Sequence, residues 1–429
     1  MKRYNAPLSE TAAQLRRRET DLETYYTEVE TRVEAVEENL HSFVERPDFE
    51  SLRQTLANIR HRWGHSDVRP PLYGVNVGVK DIFRADGFPT RAGSDLPASV
   101  FDGPEAATVT ALREAGAVVT GKTVTTEFAG APTGPTRNPH DLAHTPGGSS
   151  SGSAAAVSAG LVPLALGTQT VGSVVRPAAF CGIVGFKPSS ERVPMDGIVP
   201  VSRSVDQVGM FTQDLPGTAL AASVLCSNWT PTNTETAPTL GVPSGQYLEQ
   251  ASETGREHLE RQLSALAAAG VEVRRLSVFN DIEALNERHT TLVDAEAALV
   301  HAEWYTEYGD RYHPKSAETV ENGWETDIEA VGRGRASQRR TRNRIAETMA
   351  EADVDVLVSP AAPGPAPEGL EDSGDPVMNL PWTHAGLPAL TIPAGTTDQR
   401  LPIGLQCVAP YGDDERLLAD VMSLTERLS

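Results

Sequence analysis

Three short segments of the chain carry the residue types of serine-based acyl chemistry. They are Gly78-Val79-Lys80-Asp81, Gly147-Gly148-Ser149-Ser150-Ser151-Gly152-Ser153 and Gly167-Thr168-Gln169-Thr170-Val171-Gly172-Ser173. A serine hydroxyl is a poor nucleophile at neutral pH. It needs a base to take its proton and a pocket that stabilises the anion of a tetrahedral intermediate. A lysine can be that base only while neutral, and burial among apolar groups favours the neutral amine. Lys80 follows Val75-Asn76-Val77-Gly78-Val79, which reads as an inward strand. The glycine-rich turns let backbone N–H groups approach a reacting carbonyl more closely than loops bearing a Cβ.

Together these segments resemble the amidase signature family. That family pairs a lysine in a G-V-K-D turn with a GGSSGGS loop, whose bridging serine follows a cis peptide, and a GT-x-T-x-GS turn that carries the nucleophile. Carried onto this chain, the resemblance implies Lys80 as base, Ser149 as bridge and Ser173 as nucleophile. It also implies an oxyanion hole from the backbone N–H groups of Thr170, Val171, Gly172 and Ser173. Matching motifs continue through Leu112–Ala117, Gly121-Lys122-Thr123, Glu127-Phe128-Ala129 and Phe180–Pro188, and later through Asp355–Pro360, Asn379–Trp382, Gly386–Ala389 and Leu401–Gln406. The likeness is dense over 71–215 and 353–429 and thin elsewhere. Three positions depart from the family's GTDTGGSIR turn: Gln169 replaces an Asp, Val171 replaces a Gly, and the arginine moves to Arg176. Ser151 stands where the loop often has Gly, which would strain the chain if that position needed positive φ.

The elements expected to hold these groups alternate after Pro70. A strand over 73–79 leads to the lysine, a helix covers Ala106 to Ala115, and Ala117 to Thr120 is a strand. A small-residue helix over Ser153 to Gly160 leaves the glycine loop, and its N-terminal dipole favours negative charge near Ser149. Leu161 to Leu166 reads as a buried strand with the Gly167–Ser173 turn at its end. From Ser9 to about Trp63 apolar residues recur at helical spacing, broken at Pro47, with a second helix over Phe49 to Arg62. This predicts an N-terminal helical layer over 1–65, packed on a catalytic domain over 66–429. Farther on, Gly241-Val242 opens a strand, Arg256 to Ala269 is an amphipathic helix, and Val271-Glu272-Val273 is a strand. Residues 280–350 are helical and charged. The region 216–351 is expected to vary and to cover the substrate.

Other motifs in the chain fit their templates less well. Gly116–Thr123 fits GxxxxGK[ST], but a helix precedes it and β-branched residues follow, the reverse of a P-loop's strand-then-helix setting. Gly148–Gly152 fits GxSxG and nominates Ser150, with His384 as the late histidine, yet 138–146 is no strand. His140 and His144 flank Asp141 at zinc-like spacing, but Pro139 and Pro146 bound the segment and argue against a helix that would align them. Cys181, Cys226 and Cys407 show no CxxC spacing and read as buried free thiols.

Composition bounds the rest. With 429 residues, 39% hydrophobic, and a mean hydropathy of −0.30, the chain is globular and can bury a large core. No apolar run is long enough to span a bilayer, and no apolar segment follows the N-terminal Met1-Lys2-Arg3, so a cytoplasmic location is expected. Acidic residues outnumber basic ones 58 to 37, giving a formal charge of −21 that repels phosphate and argues against nucleic acid or anionic membrane as partners. Only five lysines occur (Lys2, Lys80, Lys122, Lys187 and Lys315), and an acidic, lysine-poor surface suits a protein kept soluble in concentrated salt.

The expectation is an α/β protein of the amidase signature fold, a large mixed twisted sheet sandwiched between helices. It would hydrolyse a small-molecule carboxylic amide to carboxylate plus ammonia or amine through an acyl-enzyme, needing neither cofactor nor metal. A homodimer is compatible with this reading. The alternative is the glutaminase subunit of a tRNA-dependent amidotransferase, against which the Gln169/Val171/Arg176 form of the turn counts. A catalytically dead binding scaffold is disfavoured because all three catalytic positions are occupied.

Overall fold

The computed structural model describes residues 1–429 except Lys2, His65, Asp67, Glu235 and Ser429, and of Leu428 only the backbone. The expected boundary at 65 between helical layer and catalytic domain falls on His65, outside the described residues.

Apolar runs without a polar alternate make strands buried on both faces, and such strands belong in the middle of a covered sheet. β1 (Asn76–Lys80), β2 (Val118–Thr123), β3 (Leu164–Gln169), β4 (Val184–Lys187) and β5 (Gln207–Thr212) are buried along their whole length. With β6 (Leu240–Pro243), β7 (Val273–Leu276), β8 (Val356–Pro360), β9 (Ala389–Thr396) and β10 (Pro402–Val408) they form one sheet. Its order is β2-β1-β3-β5-β4-β9-β10-β8-β6-β7. The two flanks, β2-β1-β3 and β8-β6-β7, are parallel and the centre is antiparallel, so the expected mixed sheet between helices is present. β1 lies between β2 and β3, which places the end of Lys80's strand beside the end of the strand leading to Ser173.

Boundaries moved for local reasons. β3 begins at Leu164 because Pro163 has no N–H for a ladder, and its antiparallel pairing with β5 carries it on to Gln169. β2 continues through Gly121-Lys122-Thr123, where it pairs with Gly78–Lys80. β1 starts at Asn76, after a turn in which Gly74 takes φ 70°.

The single long N-terminal helix expected before Pro47 is two, α1 (Leu8–Arg17) and α2 (Leu22–Leu40), and α3 (Phe49–Trp63) follows. Arg18 ends α1 in the left-handed region, and the Asp21 side chain accepts the Thr24 N–H, a cap that competes with continuing the helix. Leu8, Leu15, Val29, Val33, Leu40 and Leu56 from these helices lie in the same apolar cluster as Val77 and Val79 of β1. Each such burial is worth roughly 1.5–3 kcal/mol. Tyr25 adds a hydroxyl bonded to the Asn76 side chain.

Four further helices bear on the site or its flanks: α4 (Ala107–Glu114), α5 (Ser151–Ala159), α6 (Val175–Cys181) and α7 (Leu215–Leu225). Within 216–351, β6, the helix Glu253–Ala268 and β7 extend the sheet's edge, and the helices Ile282–Tyr308, Pro314–Glu325 and Ile328–Glu351 follow. Among the described residues no helix is long and apolar enough to cross a membrane. Cys181, Cys226 and Cys407 are buried free thiols.

Candidate active site

Lys80 is the last residue of β1, and its side chain has no exposed surface. Its Nζ donates to Ser149 Oγ at 2.7 Å and to Thr168 Oγ1 at 3.0 Å. Burial lowers the amine's pKa from 10.5 to about 7, opposed in part by the charge of Asp206. The fold thus supplies the environment that a lysine base requires.

Ser149 lies in the tight turn that enters α5. The Gly148–Ser149 peptide is cis, and the Ser149 carbonyl accepts the Thr126 N–H at 3.3 Å. Positive φ in this loop falls on Gly147, at 82°, where an added Cβ would stand 2.8 Å from Pro177 Cα. Ser151 is not in that region. It opens α5 instead, so the strain considered for it does not arise.

The second turn leaves β3 at Gln169. Its Oε1 accepts the N–H groups of Val174 and Val175 at 2.8 and 3.0 Å, and its Nε2 donates to Thr383 Oγ1 at 2.9 Å. Thr383 Oγ1 in turn donates to the Val171 carbonyl at 2.7 Å. Thr170 Oγ1 donates to Asp206 Oδ1 at 2.6 Å, while Asp206 Oδ2 accepts from Val201 and Ser202 N–H. Burial lifts the Asp206 carboxyl to about 6. At Gly172 an added Cβ would reach Asn379 Oδ1 at 2.4 Å, so the turn needs glycine there. These bonds clamp the turn by its carbonyls and side chains. Among the described residues, the amides of Thr170, Val171, Gly172 and Ser173 donate to no protein acceptor. Ser173 keeps 7% of its surface exposed and its side chain makes no hydrogen bond to a described residue.

The family model for amidases matches residues 26–418. The chain belongs to the amidase signature family. Among curated relatives, the A-type subunit of glutamyl-tRNA(Gln) amidotransferase from Prochlorococcus marinus is 31% identical over 90% of both chains. The protein of the same name from Deinococcus radiodurans is 34% identical over 81% of this chain and 83% of its own. Among solved structures, an amidase superposes with TM-score 0.90 at 31% identity over 99% of this chain and all of its own. The native peptide amidase of Stenotrophomonas maltophilia gives 0.85 at 26% identity, over 98% and 96%.

Within this amidase-family fold the decoy motifs occupy structural places. Lys122 lies in β2 and pairs with Asp81 at 2.8 Å, both side chains buried, so its ammonium is committed. Ser150 is fully buried with its hydroxyl on the Thr168 carbonyl at 3.3 Å, and His384 faces His289 at 3.3 Å rather than Ser150. His140 contacts the Cys181 carbonyl and Arg3, while His144 faces Asp141. Arg176 is buried, bonding the carbonyls of Gly374 and Gly148, so it braces the serine loop.

Four residues beside the site have contacts there that the sequence does not foretell. Thr168 was visible inside the GT-x-T pattern. Gln169 was noticed only as a departure, though an amide that both accepts and donates suits its position. Asp206 immediately precedes β5, and its meeting with Thr170 depends on the antiparallel pairing of β3 and β5. His289 lies in the helix Ile282–Tyr308, where no local signal connects it to His384.

Proposed function

We propose that the chain hydrolyses a carboxylic amide through an acyl-enzyme on Ser173, with Lys80 as the base and Ser149 as the relay. The observation that carries this reading is the fully buried Lys80 amine, with its pKa near neutrality, 2.7 Å from Ser149 Oγ. In the neutral amine a lone pair replaces one N–H. Nζ then takes the Ser149 proton while Ser149 takes that of Ser173. Ser173 Oγ bonds to the amide carbon, and the carbonyl oxygen becomes an anion facing the free amides of residues 170–173. Such donors are each worth about 3–4 kcal/mol of barrier. When the anion collapses, the C–N bond breaks and the proton returns through Ser149 to the leaving nitrogen. Water then attacks the ester by the same relay and releases the carboxylate.

For the substrate we assign the space beside Phe128, which packs against His301 and Tyr312 at ring-centroid distances of 4.6 and 4.8 Å. A cavity of about 330 Å³ is lined there by Phe128, Ala131, Val201, His301 and Ser316. This assignment gives the helices Ile282–Tyr308 and Pro314–Glu325 the covering role expected of 216–351.

The setting of this chemistry has two readings. The names of the curated relatives favour an ammonia-releasing subunit of an amidotransferase, with glutamine as its amide and further subunits as partners. A free-standing amidase is supported by the TM-score of 0.90 against a solved amidase and by the altered turn around Gln169. The deciding experiment follows ammonia release from a panel of amides, including glutamine, with the chain alone and after co-expression with its neighbouring genes. Glutamine turnover only with a co-purifying subunit selects the first reading. Turnover of other amides by the chain alone selects the second, and no turnover of any amide under either condition rejects the acyl-enzyme proposal.

A further inference from the structure

The chain has a large excess of acid, yet residues 330–346 contain six arginines and no acidic residue. They lie on the helix Ile328–Glu351, one side of which walls a cavity of about 530 Å³. The other walls are the segments 189–195, 203–208 and 383–386. None of Lys80, Ser149 or Ser173 lines it, and it lies behind the turn, reached through Asp206 and Thr383, which bond Thr170 and Val171.

Three arginines line the cavity. Arg342 is held by the Ala385 carbonyl at 2.8 Å and Ser190 Oγ at 3.3 Å, and it stacks 3.9 Å from the Tyr411 ring centroid. Arg203 and Arg339 pair with no acidic group among the described residues. The segment bearing Arg203 is tied to the helix by Gln338 Nε2, which donates to the Ser204 carbonyl at 3.1 Å, so Arg203 and Arg339 stand on adjoining walls. His384, also lining the cavity, is 1% exposed, and its Nε2 has no hydrogen-bond partner. Burial and the neighbouring Arg288 keep its imidazole neutral, available as an N–H donor. Of the lining acids, Asp206 is already committed to Thr170, Val201 and Ser202, which leaves Glu191 at the rim.

We propose that this cavity binds a small oxyanion, the carboxylate or phosphate group of a metabolite, between Arg203, Arg339 and Arg342. Guanidinium forks suit planar carboxylates and phosphates, and a preformed concavity with unpaired cations needs little reorganisation to receive one. A surface for nucleic acid would present its arginines on a ridge. Here three of them line one solvent-accessible concavity sized for a small ligand. Asp206, on the cavity wall, bonds Thr170 of the nucleophile turn, so the ligand would sit one hydrogen bond from the oxyanion loop.

The test is calorimetric titration of the full chain with citrate and, separately, inorganic phosphate, at constant ionic strength set by KCl. Saturable one-to-one binding of either anion is expected, and the tighter of the two identifies the carboxylate or phosphate source. The double variant Arg203→Gln/Arg339→Gln should weaken it by about 100-fold, roughly tenfold for each charge-assisted hydrogen bond removed. Both side chains are exposed, so folding should survive, and a thermal melt verifies it. Arg203→Lys/Arg339→Lys should lose less, since charge remains. Basal amide hydrolysis without added anion should match the wild type. Absence of saturable binding, undiminished binding in the double Gln variant, or binding of an RNA probe alone would overturn the proposal. The readout is binding, so it stands apart from whether the acyl-enzyme reading holds.

Discussion

Replacing Lys80 by Met keeps the length and bulk of the side chain and removes the amine. In the folded protein that amine loses its proton near pH 7, whereas in the unfolded chain it holds it until about pH 10.5. Between those values the unfolded state binds one more proton than the folded state. Stability of the wild type therefore rises with pH, by at most about 1.4 kcal/mol per unit and by less near pH 7, where the folded amine is half protonated. From pH 7 to pH 9 the gain is about 2 kcal/mol. Asp206, lifted only to about 6, is largely ionised across this window and adds little slope.

The Lys80→Met variant lacks this slope. It also loses the bonds to Ser149 and Thr168, about 1 kcal/mol each, but that loss is a constant offset. Urea titrations of both proteins at pH 7, 8 and 9 in the same KCl should show the difference in unfolding free energy moving by about 2 kcal/mol in favour of the wild type as pH rises. Parallel curves would mean that Lys80 keeps an ordinary pKa and cannot serve as the base. Kinetics supply a second check: log kcat/KM of the wild type should climb with unit slope below pH 7 and level above it, while the variant shows no turnover.

Ser173→Ala should stop turnover without lowering stability, and intact-protein mass spectrometry should show that it no longer takes up a fluorophosphonate. Gln169→Ala leaves the Val174 and Val175 amides unpaired in a buried site, so it should cost about 1–3 kcal/mol in a denaturant titration and lower kcat. Asp81→Asn strands the Lys122 ammonium in the interior and should cost about 3–5 kcal/mol, while ATP leaves the melting temperature of the wild type unchanged. The charge of −21 should make the melting temperature rise as KCl is taken from low to molar concentration, since salt screens the repulsion.

What was legible in the sequence is what neighbouring residues decide. Valines at 75, 77 and 79 made β1 a buried strand that ends on Lys80, out of water; small residues and glycines made the two turns; Pro163 and Asp21 set element ends by local rules. The groups that tune the site come from distant segments. Asp206 meets Thr170 across a β3–β5 pairing, Thr383 reaches Gln169 and Val171 from more than 200 residues away, and His289 meets His384 from another helix. Gln169 shows why such contacts resist reading. Taken against the family pattern it is a lost charge, whereas in the fold its oxygen accepts two helix N–H groups and its nitrogen donates to the threonine that bonds the Val171 carbonyl. A carboxylate there could accept the same two N–H groups but could not donate to Thr383, whose own proton is committed to Val171. The exchange of Asp for Gln therefore adds a tether that an acid cannot supply, and the rigidity of the turn rests on residues 379–384 as much as on the turn itself.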